Sequence, residues 1–159
     1  MIKFKKHSGI YSLEATQVLK TTMKAAWELL SDPRNLEKIT PKEMNFTITN
    51  GGDETTYPGQ IISYRVSPFP GIRSNWITEI THVRPGEYFV DEQRFGPYKM
   101  WHHEHRIIPH EQGVLMKDRI SYKLPFGFLG KMAHPFIVKN QLKKIFNHRE
   151  KVLDQMFNQ

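Results

Sequence analysis

At 159 residues, with 38% hydrophobic, 12% aromatic and 25% charged residues, the chain is too apolar for disorder and too interrupted by charge for a membrane span, and it has the length of one domain (1–159) with one core. The absence of Cys removes disulfides, thiolate metal sites and thiol nucleophiles. The net charge of +7 divides as +1 over residues 1–60, +2 over 61–130 and +4 over 131–159; the charge alone favours a basic nucleic-acid or protein-interaction module as a third alternative, but Lys143-Lys144 on a helix is satisfied by a solvated face, so no nucleic acid is expected.

Met1 to Ile10 carry Lys3, Lys5 and Lys6 and no apolar run long enough for a signal-peptide core, so a cytoplasmic location is expected. Residues 11–19 alternate as a strand, with Tyr11, Leu13, Ala15 and Leu19 on one side. In TTMKAAWELLSDP, Thr21 or Thr22 can cap a short helix that stops before Asp32-Pro33. Asp32 as N-cap and Pro33 at the first helical position predict a second over RNLEKI, ended by Thr40-Pro41.

From Met44 the sequence reads as strands: MNFTIT, QIISYRV from Gln60, RSNWITEITHV (73–83), EYFVDEQRF (87–95), YKMWHHEHRII (98–108) and GVLMKDRISYKL (113–124). Turns are expected at Asn50-Gly51-Gly52-Asp53, at Ser67-Pro68-Phe69-Pro70-Gly71, at Arg84-Pro85-Gly86, at Gly96-Pro97 and at Glu111-Gln112-Gly113, and such short links imply antiparallel neighbours. Phe128–Ala133 forms a separate helical turn. A long helix begins near Pro135, with a stripe of Leu142, Ile145, Phe146, Val152, Leu153 and Met156. About 23 residues make a rod of roughly 34 Å, long enough to cross a whole curved sheet.

One antiparallel sheet and one long helix satisfy each other only if the sheet curls around the helix. The predicted class is therefore α+β, a helix gripped by a bent seven-stranded antiparallel sheet, with two short helices after the first strand closing one end of a cavity. This element order, together with GPYKMWHHEHRI (96–107), the Asp118–Tyr122 strand and LPFGFLG (124–130), resembles the SRPBCC superfamily of START domains, birch-pollen-allergen-like proteins and polyketide cyclases, and within it small bacterial ligand-binding proteins. The resemblance covers roughly residues 10–157 and implies a helix-grip fold with a ligand cavity, but no particular ligand or reaction. Allergen-type members carry a longer Gly-rich loop where this chain has Asn50-Gly51-Gly52-Asp53, here expected to be a plain hairpin turn.

Period-two alternation puts Trp101, His103, His105 and Ile107 on one strand face and Met100, His102, Glu104 and Arg106 on the other. The first set is the inner one, since burying the second would cost far more desolvation. By the same reasoning Met116, Asp118, Ile120 and Tyr122 face inward, as do Phe89, Asp91 and Gln93, while Trp76, Thr78 and Ile80 complete the strand lining and Phe136 adds to it from the helix.

Three readings of the polar set His103, His105, Asp118, Asp91 and Gln93 stay open: an internal network in which a carboxylate fixes a histidine tautomer, anchorage for the polar end of a small hydrophobic or lipid-like ligand, or a metal site. Two His at i and i+2 are weak evidence for a metal when nothing fixes a carboxylate near both rings, so neither metal nor cofactor is assigned. A polyketide cyclase- or dehydratase-like enzyme using His and Asp as acid and base is the alternative to a binder, although no nucleophile, phosphate loop or oxyanion motif is present. Phe69, Phe95, Phe126 and Phe128 fall in or beside loops. As portal guards they would, with the C-terminal basic excess, suit transient contact with an anionic membrane; as lids they would fold back on the core.

Overall fold

The computed structural model describes residues 1–69 and 71–158, and only the backbone of Phe69, Leu129, Lys131 and Ala133. Strands β1 (Ile2–His7), β2 (Ile10–Leu19), β3 (Thr47–Asn50), β4 (Ile61–Phe69), β5 (Ile72–Arg84), β6 (Tyr88–Phe95), β7 (Met100–His110) and β8 (Gly113–Lys123) form one antiparallel sheet. Its spatial order is β1-β2-β8-β7-β6-β5-β4-β3, so the early strand β2 and the last strand β8 are neighbours. Helix α1 (Met23–Leu30) lies in the crossover from β2 to β3, and α2 (Gly127–Ala133) and α3 (Lys139–Phe157) follow β8.

The sheet has eight strands rather than the seven expected. Ile2 and Phe4 in β1 are half-buried while Lys3, Lys5 and Lys6 point to solvent, so lysines dilute the apolar alternation. They also blunt an exposed strand edge against pairing with other chains. Ser8 and Gly9 both have positive φ, 48° and 79°, which turns β1 into β2 as a two-residue hairpin.

Thr22 caps α1 as expected, its Oγ1 accepting from Ala25 N–H at 3.2 Å. Asp32 caps the next turn, which is a short 3-10 turn over Pro33–Leu36 instead of a helix through Ile39. A further 3-10 turn, Lys42–Met44, occupies the start of the predicted MNFTIT strand. The link from β3 to β4 is not a tight turn at Asn50–Asp53. It runs over 51–60, held by the buried amide of Gln60 donating to the Gly51 carbonyl at 2.9 Å. Pro70, within the turn expected at 67–71, lies outside the described residues. At the β7–β8 turn Gly113 is required: its φ is 130°, and a Cβ there would fall 2.2 Å from the Leu19 carbonyl oxygen.

Register shifts in the β3–β4, β4–β5 and β5–β6 pairings mark irregularities of the kind that bend a sheet, and this sheet curls around α3. A single π-turn, His134–Val138, joins α2 to α3. Leu142, Phe146, Arg149 and Leu153 are the buried face of α3. Leu153 packs with Leu19, Ile80, Phe89 and Met116, and Leu142 and Phe146 pack with Tyr11, Leu13, Ile120 and Tyr122. Among the described residues no helix is long and apolar enough to cross a membrane.

Candidate functional site

Between these clusters and a third one around Met44, Val66 and Trp76 a cavity of about 190 Å³ remains. Alternate residues of the strands wall it: Ile62, Tyr64 and Val66 of β4, Trp76, Thr78 and Ile80 of β5, Phe89 and Asp91 of β6, and Trp101, His103 and His105 of β7. Leu142, Phe146 and Arg149 of α3 close one side, and Leu30, Leu36 and Met44 of the crossover another. An aromatic box forms much of the wall, with Trp76 stacked on Tyr64 and edge-on to Trp101 at centroid distances of 5.9 and 5.4 Å. Thr78 supplies the polar partner for both rings of the first pair: the Trp76 indole N–H donates to its Oγ1 at 3.0 Å, and Tyr64 Oη lies 3.0 Å from the same oxygen.

The polar wall is set by strand register. Asp91 on β6 stands opposite His103, and Asp118 on β8 stands opposite His105. Each imidazole therefore bridges two carboxylates. His103 reaches Asp118 Oδ1 through Nε2 at 3.1 Å and Asp91 Oδ2 through Nδ1 at 3.5 Å. His105 reaches Asp91 Oδ2 through Nε2 at 2.9 Å. Its Nδ1 is 2.9 Å from Asp118 Oδ1 but off the line of a hydrogen bond, so this buried nitrogen has no directional partner. Behind the rings Arg149 Nη1 lies 3.3 Å from Asp118 Oδ1, both side chains being almost fully buried.

Burial opposes every charge in this group, and the partners decide the outcome. Asp118 stays well below the usual carboxylate range because Arg149 and the two histidines outweigh its burial. Asp91 is likewise lowered, by His105 and His103, against the upward pull of burial. For His103 burial prevails, reinforced by His105, and its pKa falls; for His105 the carboxylates of Asp118 and Asp91 overcome burial, and its pKa rises. The arrangement can hold one proton on His105 beside a neutral His103, or accept another cation in that place.

Of the residues expected from sequence to line a site, Trp76, Thr78, Phe89, Asp91, Trp101, His103 and His105 face the cavity. Asp118 is one layer behind, supporting the rings. Gln93 instead clamps the β6–β7 turn, its Nε2 donating to the Tyr98 carbonyl at 2.7 Å and its Oε1 accepting from Tyr98 N–H at 3.1 Å. Ile120 and Tyr122 are inward, but in the solid cluster with Tyr11 and Leu13. Phe136 is 78% exposed, because it sits in the π-turn before the buried face of α3 begins. Phe95, Phe126 and Phe128 are exposed rather than folded back as lids, and the side chain of Phe69 lies outside the described residues.

Arg149 is a site residue outside the set expected from sequence, although its place is readable: it stands three residues after Phe146 and seven after Leu142, within the apolar stripe of α3. Tyr64 and Tyr98 also join the lining; both phenols are driven far above their ordinary pKa by burial and stay protonated.

Comparison with solved structures finds the same fold at low sequence identity. A protein of Chromobacterium violaceum superposes with a TM-score of 0.71 at 13% identity, over 93% of this chain and 98% of that one. A protein of Thermus thermophilus gives 0.69 at 12% identity over 91% and 94%. A START superfamily protein from Mycobacterium smegmatis gives 0.66 at 13% identity over 92% and 97%. The chain thus shares the helix-grip fold of these proteins, the START superfamily protein among them. Comparison with curated proteins finds no match. Residues 75–157, more than half of the chain and the part that carries most of β5, all of β6 to β8, Asp91, both histidines, Asp118 and Arg149, match the family described as a domain of unknown function, DUF8410, and the chain belongs to that family.

Proposed function

We propose that this protein, in the cytoplasm and as one ligand-binding domain, binds a small, mainly apolar molecule in the cavity between sheet and C-terminal helix, with the molecule's polar end turned to His103, His105 and Asp91. The observation that carries the reading is the composition of the wall: mostly aromatic and aliphatic side chains, with a few uncharged polar ones such as Thr78 and Gln141, and with Asp91, Arg149 and the two histidines as the only charged or titrating acid–base groups near neutral pH among the described lining residues. The fold supports it too, since START-like proteins generally bind hydrophobic ligands. At about 190 Å³ the space is only somewhat larger than the roughly 150 Å³ that accommodates benzene in an engineered core, which favours a compact ring system over a long acyl chain.

Native mass spectrometry of the purified protein, followed by solvent extraction, tests this directly. A copurified apolar molecule, or saturable quenching of Trp76 and Trp101 fluorescence by a single-ring aromatic carboxylate, is the expected result. No copurified molecule together with no saturable quenching by aromatic or fatty carboxylates would remove the reading. The unequal histidines favour acid–base catalysis as the second reading, and a His103→Ala chain that keeps ligand affinity but loses turnover would move the assignment there.

The segment after β8 supports transient contact with an anionic membrane as part of the same proposal. Phe126, Phe128, Met132, Phe136 and Ile137 are all more than half exposed within twelve residues, and the chain beyond residue 131 is basic.

A further inference from the structure

We propose that Asp91, His103 and His105 form a site for a transition-metal dication, zinc being the best fit, with an open coordination position facing the cavity. The site shares the cavity assigned above to an apolar ligand but does not depend on that assignment, since metal binding is measured with no organic molecule present.

The donors already converge. Asp91 Oδ2 is 2.9 Å from His105 Nε2 and 3.5 Å from His103 Nδ1, and one ligand atom from each of the three residues lies within 4.8 Å of the others. Two ligand atoms held about 2.0–2.1 Å from a single ion stand roughly 2.9 Å apart at a right angle and roughly 3.4 Å apart at the tetrahedral angle. Small side-chain shifts therefore close the trio on one cation. The register that pairs β6 with β7 supplies the carboxylate that the His-x-His spacing alone could not.

The atoms behind the rings are placed for the same task. Donation from His103 Nε2 to Asp118 Oδ1 at 3.1 Å leaves the Nδ1 lone pair pointing at the Asp91 side. His105 Nδ1 is buried without a directional partner 2.9 Å from that same oxygen, and Asp118 Oδ2 is buried with none at all. With a metal on His105 Nε2, the Nδ1–H would turn onto Asp118, satisfying both. A carboxylate accepting from the far nitrogen of each ligating imidazole is how proteins orient such rings and raise their basicity.

Charge points the same way. Asp91 and Asp118 bring two negative charges and Arg149 one positive, so with both imidazoles neutral the buried group carries one excess negative charge. A dication reverses it to one positive, which a bound hydroxide or a ligand's carboxylate then neutralises. Two imidazole nitrogens and one carboxylate oxygen suit zinc, iron(II) or cobalt(II) rather than calcium or magnesium. Three protein ligands with a fourth position open is the arrangement of reactive rather than purely structural zinc sites.

The test uses the full chain purified without a polyhistidine tag, stripped with chelator, and then titrated with zinc or cobalt(II). About one zinc per chain surviving desalting, and cobalt absorption bands in the visible of four- or five-coordinate intensity that zinc abolishes, are expected. Asp91→Asn and His103→Gln should lose both signals while keeping the far-ultraviolet circular dichroism of the parent. Asp118→Asn should weaken binding about 10- to 100-fold, as loss of a ring-orienting carboxylate does. Failure of the parent chain to retain zinc and to develop cobalt bands overturns the proposal whatever the variants do. So does undiminished binding by both Asp91→Asn and His103→Gln, which would place the ion on surface histidines.

Discussion

The rings of His103 and His105 lie one over the other, with centroids 3.7 Å apart and planes inclined by 38°. Two stacked imidazolium ions at that distance would repel strongly in a buried setting, so the pair holds one proton before it holds two. The same carboxylates flank both rings, but Asp91 and Asp118 approach His105 more closely, at 2.9 Å each, than they approach His103.

In the chelator-treated chain the two rings should therefore titrate on opposite sides of the ordinary value of 6.5, His105 above it and His103 below. The raised group adds stability that is complete below pH 6.5 and is lost as pH rises through the folded pKa of His105. The lowered group adds stability that is complete above 6.5 and is lost as pH falls through the folded pKa of His103. Histidine ring resonances followed by NMR over the pH range report both midpoints separately. A shared midpoint, or the reverse order, would contradict the shared-proton arrangement.

Arg149 is the counter-charge on which Asp118 depends. Replacing it with Met keeps the volume of the stem but strands a carboxylate that is 1% exposed, and breaking a buried pair from one side costs about 3–5 kcal/mol. Urea unfolding of Arg149→Met should show a loss of that order, and adding Asp118→Asn should recover part of it. Strictly additive losses in the double variant would mean the two side chains are energetically independent despite their contact.

Much of this site is readable from sequence because a strand obeys a period of two. Trp101, His103 and His105 had to share a face, and exposing Trp101 to bury His102 and Glu104 was never competitive. What period two does not give is position along the strand. Ile120 and Tyr122 face inward on β8 as alternation requires, yet they meet the solid cluster around Tyr11 instead of the cavity. Bulges and turns add their own demands, so Gln93 is drawn away to Tyr98. On α3 the charge of Arg149 argues for solvent, but its position in the apolar stripe outweighs that charge once Asp118 is opposite. Lysines hide the extra strand β1, and Phe136 is exposed because it sits in the π-turn, ahead of the buried face of α3.

Phe126 and Phe128 are 81% and 72% exposed, so replacing both with Ser should leave the unfolding midpoint nearly unchanged. Sedimentation with vesicles containing anionic lipid should, by contrast, show binding weakened by at least about tenfold, because each aromatic ring buried in the interface is worth roughly 1.5–3 kcal/mol. If the parent chain does not sediment with such vesicles at low salt, the exposed segment has some other role.

A third imidazole behaves differently from the stacked pair. His134 lies face to face with Tyr11, centroids 3.7 Å apart, and its Nε2 is 2.7 Å from the Tyr122 hydroxyl. Burial lowers its pKa, helped by the charges of Lys139 and Lys6, so the ring is neutral near pH 7 and shares a hydrogen bond with the tyrosine hydroxyl. Because the folded value lies below the unfolded 6.5, its contribution is complete above that pH and is lost as pH falls through the folded pKa. His134→Gln keeps a hydrogen-bonding partner for Tyr122 but cannot be protonated, so it should lose less stability between pH 8 and pH 5 than the parent does, after a cost at pH 8 of about 1 kcal/mol for the weakened stack and hydrogen bond. Urea midpoints at the two pH values measure this difference, to which His103 and His105 contribute equally in both chains. Parallel pH slopes for parent and variant would show that His134 is protonated in the fold as readily as in the unfolded chain.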